Sequence, residues 1–215
     1  LEPIQGEGGV VAPNQNYLNR VRTWCNKNNI LLILDEIQTG MGRTGIAWAH
    51  QHNKIKPDIL TTAKGLGGGL PIGGIMCTKE VDVFTPGDHG STFGGNVLTC
   101  AGAYYVANKL FKTNMMKSIK GTSKILNNLL TELLQDNQDV VKLRGMGLLR
   151  GIELKENIAP QVAQRCINNG LLINPVRPNV LRIMPPLNVS TKQLKDAKKI
   201  IEKSIAEVIR EEQNV

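Results

Sequence analysis

Aromatic residues are scarce in this 215-residue chain: three Phe, three Tyr and two Trp make up 4% of it. That scarcity weighs against a nucleic-acid binder, which stacks bases on rings and gathers its cations along one face. The formal net charge is +8, but the lysines are spread over helical faces, which fits solvated surface and affinity for small anions. Cysteine is equally thin. Cys25, Cys77, Cys100 and Cys166 lie far apart with no C-x-x-C, so they read as buried thiols of a reducing compartment, not as staples or zinc ligands. Three histidines, His50, His52 and His89, include one H-x-H pair, and nothing beside it completes a metal set. No apolar run approaches 18 residues, and no signal-peptide pattern stands at Leu1. These absences predict a soluble cytoplasmic protein with no metal, membrane or nucleic-acid partner.

Glycine, by contrast, is plentiful, with 22 residues clustered between positions 6 and 102, as expected where backbone must approach a ligand. The stretch from Ile30 to Gly74 organises the rest. Ile30-Leu-Leu-Ile-Leu34 is an uninterrupted apolar run, preceded by Asn28-Asn29 and followed by Asp35-Glu36. It predicts a strand buried on both faces of a parallel sheet. A second strand, Asp58 to Ala63, delivers Lys64 into Gly65-Leu-Gly-Gly-Gly69. An acid and a lysine therefore each stand at the C-terminal end of a strand, the edge where open α/β sheets bind ligands. A carboxylate and an amine offered to one ligand point to a carbonyl cofactor with a basic ring nitrogen, pyridoxal 5'-phosphate (PLP). Asp35 would keep that nitrogen protonated, and Lys64 would bond the aldehyde and shuttle the proton. This asks for a lysine that is neutral near pH 7, as burial and a cationic neighbour can arrange. Ser91 and Thr92, with the amides of their glycine loop, could hold a phosphate.

Two phosphate-loop alternatives fail on order. Walker A places glycines before its lysine, and here Lys64 precedes them. Gly40-Met-Gly-Arg-Thr-Gly45 spells G-x-G-x-x-G, but Asp35 and Glu36 intervene between strand and glycine, where they would repel a pyrophosphate.

Elsewhere, Leu1 to Val11 reads as a strand end entering a glycine turn. Pro13 and Asn14 open a helix with Leu18, Val21, Trp24 and Cys25 on its packed face. Ile72 to Thr78 is a further strand. Val97 to about Lys112, rich in small residues, predicts a tightly buried helix. After a compositional shift near Thr113 comes a long amphipathic helix ending at Asp136. Strands are expected over Val140–Leu143, Leu148–Leu154, Leu171–Asn174 and Val180–Met184. A helix lies between the middle pair, with Pro160 in its first turn and Gly170 past its end. The last helix opens on Ser190-x-x-Gln193, a capping box. The class is α/β, with residues 1–112 as part of a PLP-binding large domain and 113–215 as a small α+β domain.

Six blocks in order carry a resemblance: Glu2-Pro-Ile-Gln-Gly-Glu-Gly-Gly9, Leu34-Asp-Glu-Ile-Gln-Thr-Gly-Met-Gly-Arg-Thr-Gly45, Pro57-Asp-Ile-Leu60, Ala63-Lys-Gly-Leu-Gly-Gly-Gly-Leu-Pro-Ile-Gly73, His89-Gly-Ser-Thr-Phe-Gly-Gly-Asn96 and Arg144-Gly-Met-Gly-Leu-Leu149. Together they resemble the class III aminotransferases of PLP fold type I, and among them the acetylornithine aminotransferases of arginine biosynthesis. The resemblance implies that Asp35 pairs with the pyridine nitrogen. It places Ile37 on one ring face, Gln38 at the ring hydroxyl and Lys64 as the residue bonded to the cofactor. Thr92, with Ser91, would reach the phosphate in a neighbouring subunit, hence a homodimer with shared sites. Glu7 and Arg182 resemble a gating pair: the Glu masks the Arg while an amino donor is bound and releases it for the dicarboxylate 2-oxoglutarate. Ornithine, 4-aminobutyrate and succinylornithine aminotransferases share most of these blocks. Val97 departs from the family, which usually has Pro there; a mild effect is expected. Family chains are about twice as long, so the chain, which begins mid-motif without Met, is expected to be a C-terminal half. The alternative to a working enzyme is a non-catalytic fragment that needs its other half.

Overall fold

A computed structural model describes residues 1–213. The chain forms two compact units, one of residues 1–3 and 13–116, the other of residues 4–12 and 117–215.

In the first unit, β1 (Ile33–Asp35), β2 (Ile59–Thr62) and β3 (Gly74–Cys77) form a sheet in that order. β1 and β2 run parallel, with Asp35 opposite Thr61, and β3 is antiparallel to β2. Helix α1 (Tyr17–Lys27) buries Leu18 and Cys25 in a cluster with Leu32, Leu34 and Ile55. Each such side chain removed from water contributes about 1.5–3 kcal/mol. The expectation of burial on both faces is corrected. Leu32 and Leu34 are buried, whereas Ile30, Leu31 and Ile33 are exposed. α1 covers one face of an edge strand, and no described element covers the other. Trp24 is also exposed, at 56%. It sits one residue, about 100°, around the helix from Cys25, off the buried stripe.

Helix α2 (Val97–Phe111) begins at Asn96, whose Oδ1 accepts N–H bonds from Leu98 and Thr99 at 3.1 and 3.2 Å. The cap uses amides beyond Val97, so it stands with Val97 as the first helical residue. The helix is not tightly buried. Only Ala103 and Leu110 are, while Val97, Leu98, Tyr104 and Tyr105 face solvent. Two of the expected buried thiols, Cys77 and Cys100, are likewise exposed; Cys25 and Cys166 are buried, and all four are free.

The second unit holds a fully antiparallel sheet in the order β4 (Val140–Met146), β5 (Leu149–Leu154), β7 (Val180–Ile183), β6 (Asn174–Arg177). The body of α3 (Met115–Asp136) belongs to it, with α4 (Ala159–Asn168) and α5 (Thr191–Gln213). Leu130, Leu133, Leu149, Ile152, Leu181, Ile201 and Ile205 are among its large buried side chains. The capping box forms as spelled: Ser190 N–H donates to Gln193 Oε1 at 2.9 Å, and Gln193 N–H to Ser190 Oγ at 3.2 Å. The strand expected at Leu171–Asn174 begins instead at Asn174. It contains Pro175, which is tolerated because β6 is an edge strand with an irregular register. Residues 4–12, grouped with the first domain by sequence, pack in the second unit because Ile4 and Val10 are buried against Leu149. No described helix is long and apolar enough to cross a membrane, and no cluster of potential metal ligands occurs among the described residues.

Candidate active site

The parallel pair β1–β2 brings two of the predicted residues to one sheet edge. Asp35 closes β1 opposite Thr61, and Glu36 N–H donates to Thr61 O at 3.0 Å. Neighbouring strands lie about 4.8 Å apart, and Lys64 follows Thr61 by three residues on the adjacent strand's exit. Asp35 is held from within: its Oδ1 accepts the Ile37 N–H at 2.9 Å, which fixes the carboxylate as the chain turns. Ile37 and Gln38 follow directly, both half-buried. Lys64 opens a short 3₁₀ turn (Lys64–Leu66) with φ +41°, an uncommon conformation for a non-glycine residue. The turn closes through Leu66 N–H to Ala63 O at 2.9 Å and Gly67 N–H to Lys64 O at 3.2 Å. Gly67 is required there, since a Cβ would stand 2.1 Å from Leu70 O. Lys64 itself is exposed, which corrects the expectation of burial: its turn projects from the strand end, and no described element encloses it. Beside it, the buried Thr62 Oγ1 has no hydrogen-bond partner among the described residues.

The sequence reading passed over Glu36. It is fully buried and accepts four hydrogen bonds. Ala49 N–H and Thr39 Oγ1 reach Oε2 at 2.6 and 3.1 Å, and His50 N–H and Nδ1 reach Oε1 at 2.9 and 2.7 Å. One carboxylate thus ties the start of the loop after β1 to its far end and fixes the segment that carries Ile37 and Gln38. The available signal was His50, fourteen residues on, which the sequence offered only as half of an H-x-H pair with nothing to complete a metal set.

Ser91 and Thr92 lie on an exposed loop that runs into the Asn96 cap. Phe93, Val97 and Leu98 beside them are exposed too.

In the second unit, the structure joins Glu7 and Arg182. Arg182 Nη1 donates to Glu7 Oε1 at 2.5 Å. The Arg182 side chain is 14% exposed and that of Glu7 71%, so a held cation meets a carboxylate with room to swing into water. A cavity of about 730 Å³ is in the same unit, and Arg182 is among its lining residues with Leu130, Met184 and Ile201.

A family model, aminotransferase class-III, matches residues 1–205. The chain belongs to the class III aminotransferases. It is 42% identical to the acetylornithine aminotransferase of Caldanaerobacter subterraneus subsp. tengcongensis, over 97% of this chain and 53% of that one. It is 40% identical to that of Synechocystis sp., over 97% and 50%. Among solved structures, the acetylornithine aminotransferase from Elizabethkingia anophelis superposes with TM-score 0.89 at 38% identity, over 96% of this chain and 53% of that one. An ornithine aminotransferase from Toxoplasma gondii, crystallised with oxidized glutathione and with PLP partially occupying its active site, gives 0.89 and 38%, over 99% and 51%. This class III chain spans about half the length of the curated relatives it matches. Its fold is a part of fold type I, the fold of PLP-dependent aminotransferases.

Proposed function

We propose that this chain carries catalytic machinery for PLP-dependent transamination, moving the terminal amino group of N-acetylornithine, or a related ω-amino compound, to 2-oxoglutarate. The observation that carries the reading is that Asp35 closes β1 while Lys64 follows the end of β2, its parallel neighbour, by two residues. The donor set suits the cofactor: an anchored carboxylate for a basic ring nitrogen and an exposed primary amine for an aldehyde. Bound PLP supplies a carbonyl that condenses with amines and a protonated ring that draws electrons from the adjacent carbon. Asp35 would hold the proton on the ring nitrogen, because an anion beside a cationic nitrogen favours the charged form. Lys64 Nζ would hold the cofactor at rest and would move a proton at the reacting carbon of the substrate. Ile37 would pack against a ring face, Gln38 would meet the ring hydroxyl, and Ser91 and Thr92 would bind phosphate across a homodimer. Glu7 screens Arg182 while the donor is bound and swings away when a dicarboxylate acceptor arrives. The free thiols suit a reducing, cytoplasmic setting.

The test uses the completed enzyme, this chain joined to the remainder its relatives carry. Borohydride reduction with PLP followed by peptide mass mapping should place a pyridoxyl group on Lys64. A label on another lysine overturns the assignment. Turnover with N-acetylornithine against ornithine then sets the donor.

The exposure of Lys64 favours a second reading for the 215 residues alone, a piece inactive until paired with its remainder. Adding PLP to the purified chain decides it: a visible cofactor band with turnover rules that reading out.

A further inference from the structure

We propose that Arg144 is a positioning residue for the Glu7–Arg182 pair: it clamps the loop that carries Glu7, so that only the Glu7 side chain moves when the pair opens. The inference rests on the gating role proposed above and adds what holds the gate in place.

The loop is a closed turn. Gln5 and Val11 exchange backbone hydrogen bonds at 3.0 Å, and Val10 N–H donates to Gly6 O at 3.3 Å. Glu7 is in the middle of it. Two devices fasten it to the sheet of the second unit. The first is Val10, fully buried at φ +53°, a conformation that a β-branched residue keeps only where its surroundings over-determine it. It seats over Gly145 and Gly151, where a Cβ would stand 2.7 Å from Val10 Cγ1 and 3.2 Å from Val10 Cβ. The second is Arg144. Its Nε donates to Glu153 Oε2 at 2.9 Å and its Nη2 forms an ion pair with the same oxygen at 2.7 Å, while Nη1 donates to Gly9 O at 3.1 Å. Gly9 has φ +111°, and a Cβ on it would stand 3.1 Å from Arg177 Cγ and 3.3 Å from Arg144 Nη1. The guanidinium is thus oriented by one carboxylate and grips the backbone two residues beyond Glu7. A planar fork makes these bonds together; a lysine ammonium reaches Glu153 but does not span both partners.

The experiment compares Arg144→Lys and Glu153→Gln with wild type in the completed holoenzyme. One readout is amide hydrogen exchange in the peptide spanning residues 4–12. The other is the ratio of kcat/KM for a dicarboxylate acceptor to kcat/KM for the amino donor. Loosening the clamp should speed exchange about tenfold. It should also weaken the partly exposed ion pair enough to move the ratio toward the acceptor by about threefold. Wild-type exchange, or both half-reactions falling by one common factor, overturns the proposal. Glu7→Gln separates it from the reading beneath. If that change leaves the ratio where it was, the gate itself is wrong, and exchange still decides the clamp. If Glu7→Gln moves the ratio and Arg144→Lys does not, the clamp alone falls.

Discussion

Asp58 Oδ2 accepts two short hydrogen bonds, from Leu32 N–H and from Arg22 Nη1, each at 2.6 Å. Burial alone would raise this carboxyl, but the Leu32 amide and the Arg22 guanidinium outweigh it and hold the group below the usual carboxylate range. A depressed folded-state pKa gives stability that is present above the unfolded value, about 3.9, and is lost as pH falls through the folded one. Asp58→Asn should therefore cost about 1 kcal/mol at neutral pH. Melting curves of the completed enzyme should show the gap from wild type narrowing below about pH 4. A gap constant with pH would mean that the charge does not matter. Asp35 differs in purpose. Asn at position 35 keeps an oxygen for the Ile37 N–H and gives up the anion. Asp35→Asn should leave melting unchanged and lower kcat by about two to four orders of magnitude. Equal kcat would remove Asp35 from the mechanism.

At the scale of elements, the loop from Glu36 to His50 shows what can be read from sequence and what cannot. Strand, acid, strand and lysine were legible because each is a local pattern: apolar run, charge, β-branched run, glycine turn. The capping box at Ser190 was legible for the same reason. Glu36 was not, since its partners Ala49 and His50 become neighbours only when the loop closes. Nor was the assignment of residues 4–12 to the second unit, which depends on contacts such as Arg144 with Gly9, 135 residues apart. Burial was misjudged where an apolar pattern stands on a face that no described element covers, as at Ile33 and Leu98. The loop also carries its own prediction. A Cβ on Gly40 would stand 2.5 Å from the Trp48 ring and 2.8 Å from Glu36 O. Gly40→Ala must displace the ring or open the turn, at a cost of about 1–3 kcal/mol. Ile37 and Gln38 would shift with it. PLP titration followed by absorbance should show affinity falling more than melting temperature does. Wild-type affinity would show that the loop does not shape the cofactor's seat.

At the scale of the molecule, the first unit exposes several large apolar side chains close together in sequence. Phe84, Phe93, Val97, Leu98, Tyr104 and Tyr105 are all more than 65% exposed, within 22 residues of sequence that also hold Ser91 and Thr92. Monomeric proteins rarely leave so many large apolar side chains in water, whereas permanent dimers bury them. If Thr92 serves a neighbouring subunit's phosphate, dimerisation and cofactor retention are one equilibrium. A carboxylate at position 93 has no Lys or Arg in residues 84–96 to meet it, and burying it unpaired is costly. Phe93→Asp should therefore raise the dimer dissociation constant by at least about two orders of magnitude, equivalent to about 2.7 kcal/mol. Sedimentation velocity over a dilution series would measure this. PLP should leave the variant at the same dilution at which the dimer dissociates. A variant that stays dimeric, or one that becomes monomeric and keeps its cofactor, would separate the two roles assigned to this loop.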